Sequence, residues 1–173
     1  GVNLQNHSYP VIMESEQLIF TKFKPQDFAE YMSWFKDPEL NAHLGPMEEN
    51  DPWLDYILTN NEGVEYSIFI EHQMVAEVGI LFPNQQYPSY YITNLAIKPG
   101  LRNQGVGSKV LKALINLHPL KGGESWKTAV DANNPKARSF LEKNGWIGLS
   151  STPDDANMYD YEFPRLNLFA QGR

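Results

Sequence analysis

The sequence has 173 residues, no cysteine, and a net charge of −7 from 14 Lys and Arg against 21 Asp and Glu. Its length predicts a single domain over residues 1–173, large enough to bury a core of its own. The absence of cysteine excludes disulfides, thiolate nucleophiles and cysteine-ligated metal sites, and the acidic charge argues against a nucleic-acid partner. No apolar run has the length of a membrane span and no signal-peptide pattern opens the chain, so we expect a cytoplasmic protein with no membrane partner.

The charges are distributed unevenly along the chain. Residues 1–91 hold 3 basic and 14 acidic residues, a net of −11, whereas residues 92–173 hold 11 basic and 7 acidic residues, a net of +4. Chance segregation of solvated charges is one explanation, and two ligands of opposite charge are the other. The charge pattern alone does not decide between them.

The front of the chain predicts one strand and two short helices. After a loose lead-in over residues 1–13, apolar residues alternate along Gln17–Phe23 and predict a strand. Lys24–Asp27 then opens a helix with an apolar stripe, which Asp37-Pro38 is expected to break. Asp51-Pro52 caps the second short helix.

The rest of the chain predicts strands that enclose a β-α-β-α run. The expected strands are Val64–Glu71, Met74–Phe82, Tyr90–Ile97, Ser125–Asp131, Trp146–Leu149 and Asn157–Phe163. Helices over Val106–His118 and from Asn134-Pro135 to Asn144 lie between the middle strands, and Gly145 is placed to end the second one. Helical crossovers require parallel strands and hairpins require antiparallel ones. We therefore expect an α/β (α+β) fold with a mixed sheet of about seven strands, flanked on both faces by about four helices.

A Gly-rich segment follows the nearly all-apolar strand at Tyr90–Ile97, which we expect to be central. Its sequence from Asn94 to Ser108 is N-L-A-I-K-P-G-L-R-N-Q-G-V-G-S. The first amides of a helix have no intrahelical partner and carry partial positive charge, so a strand, a Gly-rich turn and a helix together suit a phosphate group. A Walker A loop and a dinucleotide fingerprint are both excluded, because Val106 and Val110 stand where they require Lys and Gly. Taken alone, the segment is also compatible with a simple tight turn.

With those two patterns excluded, the segment resembles the R/Q-x-x-G-x-G/A signature of the GNAT superfamily of acetyl-CoA-dependent N-acetyltransferases. The matching residues are Arg102-Asn103-Gln104-Gly105-Val106-Gly107. Asn134–Trp146 resembles a second segment of that family, an Asn-capped helix that ends in Gly and an aromatic residue. The element order agrees over about residues 15–165. Leu18–Asp27 and Trp34–Leu40 resemble the front of the branch that holds ribosomal-protein and aminoglycoside N-acetyltransferases. The resemblance implies direct transfer of an acetyl group from acetyl-CoA to a primary amine on a peptide N-terminus, a polyamine or an aminoglycoside-like cation.

The resemblance implies an acetyl-CoA site and no metal. The pantetheine arm would bond to the central strand as an added strand does, at Leu95, Ala96 and Ile97. The pyrophosphate would lie on the segment that we call the cradle, formed by Arg102, Asn103, Gln104, Gly105, Val106, Gly107 and Ser108. Asn134 would approach the pantetheine arm and Phe140 would pack against the tail of the cofactor. Lys143 or Lys136 would meet the 3′-phosphate, although a solvated lysine at the end of a helix explains either position equally well.

The sequence departs from the family pattern at the position of the usual acid. Many members place Tyr directly after the residue that corresponds to Phe140, where it protonates the departing thiolate. This chain has Leu141 there, so Tyr159 or Tyr161 becomes the candidate acid, with packing in a strand as the alternative. A thiol of pKa about 8.5 is also a tolerable leaving group without help.

The general base is the second departure. Many relatives carry Glu on the central strand, where this chain has Thr93 and Asn94, and Asn94 is a catalytic candidate. Glu77 is the candidate base because it lies within an apolar strand, where burial would raise its pKa; a solvent-facing Glu is the alternative.

The acceptor side and the assembly remain open at this stage. Trp34 and Trp53 are candidates for contact with the substrate amine, with core packing as the alternative. The two departures favour a second hypothesis, a GNAT-fold module that binds acyl-CoA with little or no turnover. A partner-binding domain that binds no CoA is the third. We expect a monomer or a homodimer.

Overall fold

The computed structural model describes residues 17–164, so the predicted lead-in over residues 1–13 lies outside the described residues. The strands are β1 Ile19–Lys22, β2 Gly63–Ile70, β3 Gln73–Leu81, β4 Ser89–Ile97, β5 Ser125–Asp131, β6 Ile147–Gly148 and β7 Met158–Phe163. The helices are α1 Phe28–Ser33, α2 Pro38–Leu44, α3 Pro52–Thr59, α4 Val106–Leu117 and α5 Pro135–Lys143. Short 3-10 turns precede and follow α1, at Pro25–Asp27 and Trp34–Lys36. Within the described range, no helix has the length and apolar character needed to span a membrane.

The seven strands form one mixed sheet in the order β1-β2-β3-β4-β5-β7-β6. Strand β1 pairs antiparallel with β2, and β7 pairs antiparallel with both β5 and β6. Strands β4 and β5 are parallel, with Ser89–Ile92 opposite Ser125–Thr128, and β4 then continues to Ile97. The mixed sheet is confirmed, and β4 is its central strand, as the apolar sequence of that segment predicts.

The β2–β3 hairpin turns at two residues in the left-handed region. Glu71 has φ +48° and His72 has φ +71°. Two successive positive φ values define a turn whose twist matches that of the flanking strands. The predicted strands Val64–Glu71 and Met74–Phe82 leave residues 72–73 as the link between them, so the turn lies one residue earlier than predicted.

The structure contains one helix more than expected, because Asp37-Pro38 begins a helix as well as ending the preceding one. Asp37 Oδ2 accepts a hydrogen bond from the Leu40 amide at 2.9 Å, and Pro38 occupies the first helical position of α2. Asp at the N-cap followed by Pro is a strong helix-start signal, since the Asp carboxylate accepts from an open amide of the first turn and Pro has no N–H that would need a partner. The predicted break is present, but the sequence prediction omitted the helix that begins there.

The chain divides into two compact units. The first comprises Gly1–Thr59, Glu65–Val78 and Leu95–Leu117. Its described part is built around aromatic side chains in edge-to-face and stacked contacts, with ring centroids 5.0–6.3 Å apart, namely Phe23, Phe28, Tyr31, Trp34, Phe35 and Trp53. Burying each large apolar side chain contributes about 1.5–3 kcal/mol, so this cluster contributes substantially to the stability of the first unit.

The second unit comprises Asn60–Val64, Gly79–Asn94 and His118–Arg173. Its described core includes Trp126, which is fully buried and stacks on Tyr90 at 4.6 Å between ring centroids. Helix α5 begins where predicted, with Asn134 Oδ1 accepting a hydrogen bond from the Ala137 amide at 3.2 Å. It ends at Gly145, whose φ of +89° confirms the predicted left-handed cap.

Candidate functional site

The segment between β4 and α4 is a series of tight backbone turns in the first unit. The Lys98 amide donates to the Val75 carbonyl at 2.9 Å, and the Leu101 amide donates to the Lys98 carbonyl at 3.0 Å. Asn103 and Gly105 have φ +64° and +79°, in the left-handed region that Asn tolerates and Gly adopts without steric cost. These turns lead the chain into the first turn of α4, to which the last three cradle residues, Val106, Gly107 and Ser108, belong.

The N-terminus of α4 has the features of an anion site. The Lys109 amide donates to the Gly105 carbonyl at 3.1 Å, which is the hydrogen bond of the first helical turn. The amides before it have no carbonyl four residues back within the helix, and the dipole of this 12-residue helix adds positive potential there. A Cβ built on Gly105 would meet no heavy atom within 4 Å, so the space in front of this backbone is open. The arrangement can receive a phosphate group.

Gln104 adds an unsatisfied acceptor to the same segment. Its Nε2 donates to the Gly100 carbonyl at 3.3 Å, whereas its Oε1 is buried and has no hydrogen-bond partner among the described residues. A buried acceptor without a partner costs about 1–3 kcal/mol.

The Arg102 side chain is held by a carboxylate. Its Nη1 donates to Asp37 Oδ1 at 3.1 Å and its Nη2 donates to Asp37 Oδ2 at 2.6 Å. These hydrogen bonds, followed by the one from the Leu40 amide, lower the pKa of Asp37 to about 2. The guanidinium is therefore engaged within the first unit.

A second ion pair forms at the start of the same loop. Lys98 Nζ lies 3.0 Å from Glu30 Oε2, and Trp34 Nε1 donates to that oxygen at 2.8 Å. Burial raises the pKa of Glu30, but the hydrogen bonds from Trp34 and Lys98 outweigh it and hold the pKa below its usual value. Trp34, a predicted substrate contact, is 3% exposed and belongs to the aromatic core.

The other two candidates in the first unit also lie in or against its core. Trp53 is half-buried and packs edge-to-face on Phe23 and stacked on Phe28. Glu77 is 0% exposed, which confirms the predicted burial, and it hydrogen-bonds the Tyr31 hydroxyl. Burial and then the charge of Glu77 raise the pKa of Tyr31. The catalytic role of Glu77 stays a prediction.

The predicted contacts of the pantetheine arm lie at the end of β4. Ala96 is 1% exposed and points into the core, whereas Leu95 and Ile97 are half-buried. Just before them, Thr93 Oγ1 donates to Asn94 Oδ1 at 2.7 Å.

In the second unit, the two candidate acids belong to a network with Arg138. The guanidinium carbon of Arg138 lies 3.6 Å from the centre of the Tyr159 ring, and its Nε donates to the Tyr161 hydroxyl at 3.2 Å. The Tyr161 hydroxyl in turn donates to Glu142 Oε2 at 2.7 Å. Arg138 was not a candidate, since nothing in its spacing links it to a strand twenty residues later.

Helix α5 carries the remaining predicted contacts. Asn134 is its N-cap, Phe140 is half-buried, and Lys143 is exposed in the last turn. Leu141 is 5% exposed, so the position where many relatives have the acid Tyr is a core position here.

Comparisons with known proteins agree with this fold. A model of the acetyltransferase (GNAT) family matches residues 26–146. Ribosomal-protein-S18-alanine N-acetyltransferase from Escherichia coli is 16% identical with a TM-score of 0.63, and the match covers 86% of this chain and 94% of that chain. An aminoglycoside acetyltransferase, AAC(6')-Ib in complex with paromomycin and acetyl-CoA, is 14% identical with a TM-score of 0.72. The match covers 91% of this chain and 98% of that chain.

Spermidine N-acetyltransferase from Vibrio cholerae, in complex with CoA and spermine, is 13% identical with a TM-score of 0.66, and the match covers 84% of this chain and 93% of that chain. A search of curated protein sequences finds no match. The family model spans more than half of the sequence and includes the cradle, β5 and all of α5. The chain therefore belongs to the GNAT acetyltransferase family and is an acyltransferase.

Proposed function

We propose that this protein transfers an acetyl group from acetyl-CoA directly to a primary amine carried by a cationic molecule, namely a peptide N-terminus, a polyamine or an aminoglycoside-like compound. The observation that carries the proposal is the cradle, with its left-handed turns and its open space at Gly105. These features suit a ligand that brings phosphate oxygens to the backbone. The comparison structures with CoA or acetyl-CoA bound support the same donor.

The sequence and the site limit how the reaction proceeds. Acetyl-CoA supplies a thioester whose carbonyl carbon an amine nitrogen can attack. The chain has no cysteine, so no cysteinyl acyl intermediate forms, which supports the proposed direct transfer. The chain's own task is to bind the donor, orient the amine and remove one proton from it.

The amine class follows from the proton requirement and the charge. An α-amine with a pKa of about 8 is partly neutral at pH 7, whereas a lysine-like amine with a pKa of about 10.4 needs a stronger base. Glu77, the candidate base, is fully buried against Tyr31. This favours acceptors that carry an α-amine or an amine of similarly low pKa, and the net charge of −11 over residues 1–91 favours cationic ones.

The alternative is an acyl-CoA-binding module without turnover, which the buried Leu141 and the occupied hydroxyl of Tyr161 favour. Titration of the protein with CoA, followed by thiol release from acetyl-CoA with a panel of amines, separates the two. Binding with thiol release from at least one amine supports the transferase. Binding without release from any amine supports the module, and no binding overturns both.

A matched pair of glycine variants tests the cradle itself. Gly105 and Gly123 have φ +79° and +84°, and a Cβ on either would meet no heavy atom within 4 Å. Gly105→Ala and Gly123→Ala should therefore lose a similar stability of about 1–2 kcal/mol, since each forces Ala into the left-handed region. Only Gly105→Ala should weaken CoA binding, measured by titration calorimetry. Equal CoA affinity in both variants would show that the cradle is not the CoA site.

A further inference from the structure

Arg102 is the one cationic residue of the cradle, and its guanidinium is held by Asp37. Both of its terminal nitrogens bond to Asp37, at 3.1 and 2.6 Å, in the two-point geometry that makes such pairs strong and directional. The pair raises the pKa of Arg102. Each terminal nitrogen of Arg102 thus commits one N–H to Asp37, and this contact sets the orientation of the remaining N–H donors of the guanidinium.

Asp37 connects the cradle to α2. Its Oδ2 accepts from both the Arg102 guanidinium and the Leu40 amide, so the N-cap of α2 is also the anchor of the cradle. The two residues lie 65 positions apart in the sequence. Fixing the Arg102 side chain fixes the residue that leads into the two left-handed positions Asn103 and Gly105.

The Lys98–Glu30 pair holds the other end of the loop. Glu30 also accepts from Trp34 Nε1, so the aromatic core fixes the orientation of its carboxylate. Lys98 and Arg102 thus both pair with acids of one short stretch of chain, Glu30–Asp37, so both ends of the loop between them are tied to that stretch.

We infer that Asp37 is a positioning residue for the acetyl-CoA site: it holds Arg102 so that the cradle backbone, rather than the guanidinium, receives the pyrophosphate. This inference rests on the proposed function. Asp37 acts on the donor through Arg102 and is not itself in contact with the reacting atoms. The opposite model, in which Arg102 binds a phosphate directly, makes Asp37 a competitor for the guanidinium.

The direction in which one substitution changes the affinity for CoA distinguishes the two models. Asp37→Asn keeps a good helix N-cap but removes the charge that holds Arg102. If Asp37 positions the cradle, this variant should bind CoA about threefold to tenfold more weakly in titration calorimetry. If Arg102 binds phosphate directly, the freed guanidinium should make CoA binding tighter. Glu71→Gln, in the exposed β2–β3 turn, is the control for the loss of one negative charge.

Two further measurements keep the inference falsifiable if Asp37→Asn folds poorly. Arg102→Lys keeps the positive charge but cannot make the two-point contact, so it should weaken CoA binding as Asp37→Asn does. In steady state, both variants should raise KM for acetyl-CoA but leave KM for acetyl-pantetheine, which has no pyrophosphate, unchanged. A general structural defect would raise both KM values.

The outcomes separate this inference from the proposed function. Wild-type protein that binds no CoA overturns the proposed function and the inference with it. Wild-type protein that binds CoA while Asp37→Asn binds it as well as or better than Glu71→Gln overturns the inference alone. Weaker binding by both Asp37→Asn and Arg102→Lys, confined to donors with a pyrophosphate, supports it.

Discussion

One carboxylate, that of Asp37, should also give the folded state a measurable pH dependence. Its pKa is held at about 2 in the folded protein, against 3.8 for the free side chain. Because the folded-state pKa is the lower one, the stabilisation is complete above about pH 4 and is lost as the pH falls toward 2. Asp37→Asn should therefore cost about 1–2 kcal/mol at pH 7 and progressively less below pH 4. Urea unfolding of the wild-type and Asp37→Asn proteins between about pH 2 and pH 7 checks this prediction. A difference in their free energies of unfolding that stays constant with pH would contradict it.

The Tyr31–Glu77 contact makes a second prediction at the scale of single residues. Tyr31 is 1% exposed and its hydroxyl bonds a carboxyl group that is 0% exposed. Tyr31→Phe leaves a buried polar group with one partner fewer and should lower the free energy of unfolding by about 1–3 kcal/mol. Tyr56→Phe, at an exposed position, is the control and should change it little. Equal effects of the two variants would mean that the buried contact does not stabilise the fold.

Glu77 itself requires a kinetic measurement. If it is the base, Glu77→Gln should lower turnover and alter the pH–rate profile, because the amide cannot accept a proton. An unaltered profile would assign Glu77 a purely structural role beside Tyr31.

At the scale of the elements, Asn134 offers a way to separate a structural role from a role in binding. Its side chain caps α5, so Asn134→Ala should cost about 1 kcal/mol of stability, and Asn134→Ser should restore most of it. If Asn134 also contacts the pantetheine arm, the Ser variant should regain stability while its KM for acetyl-CoA stays raised. Thermal melts and steady-state kinetics of the wild-type, Ala and Ser proteins decide whether Asn134 has both roles. If the KM of the Ser variant for acetyl-CoA also returns to the wild-type value, Asn134 acts only as the helix cap.

How far the sequence predicts an element depends on whether its signals are local. The bounds of β5 are predicted without error, and the Asn134 cap and Gly145 locate α5, because these signals lie within a few neighbouring residues. Helix α2 is missed because the pair Asp37-Pro38 is a signal both for the end of one helix and for the start of the next. The contacts made by the candidate site follow a different rule. The Arg102–Asp37 pair joins residues 65 positions apart and the burial of Trp34 depends on packing, so neither can be predicted from spacing.

At the scale of the whole molecule, the charge asymmetry predicts how salt affects the proposed reaction. Two of the front-half acids, Glu30 and Asp37, pair with the back-half cations Lys98 and Arg102. The other charges still give residues 1–91 a strongly acidic composition. Raising NaCl from about 50 to about 500 mM should raise KM more for a polyamine than for a monoamine of similar length, because screening weakens long-range attraction between exposed charges. Equal salt dependence of the two acceptors would leave chance segregation as the explanation.

The four tryptophans are distributed so that the protein carries an internal optical reporter in each compact unit. Trp34 and Trp53 belong to the first unit, and Trp126 and Trp146 belong to the second. Three of the four are no more than 3% exposed, so their fluorescence should shift strongly when the surrounding core becomes hydrated. Replacing one pair with Phe would leave emission from a single unit. Two such proteins with coincident unfolding curves would establish that the units unfold together, and separated curves would resolve the order in which they open.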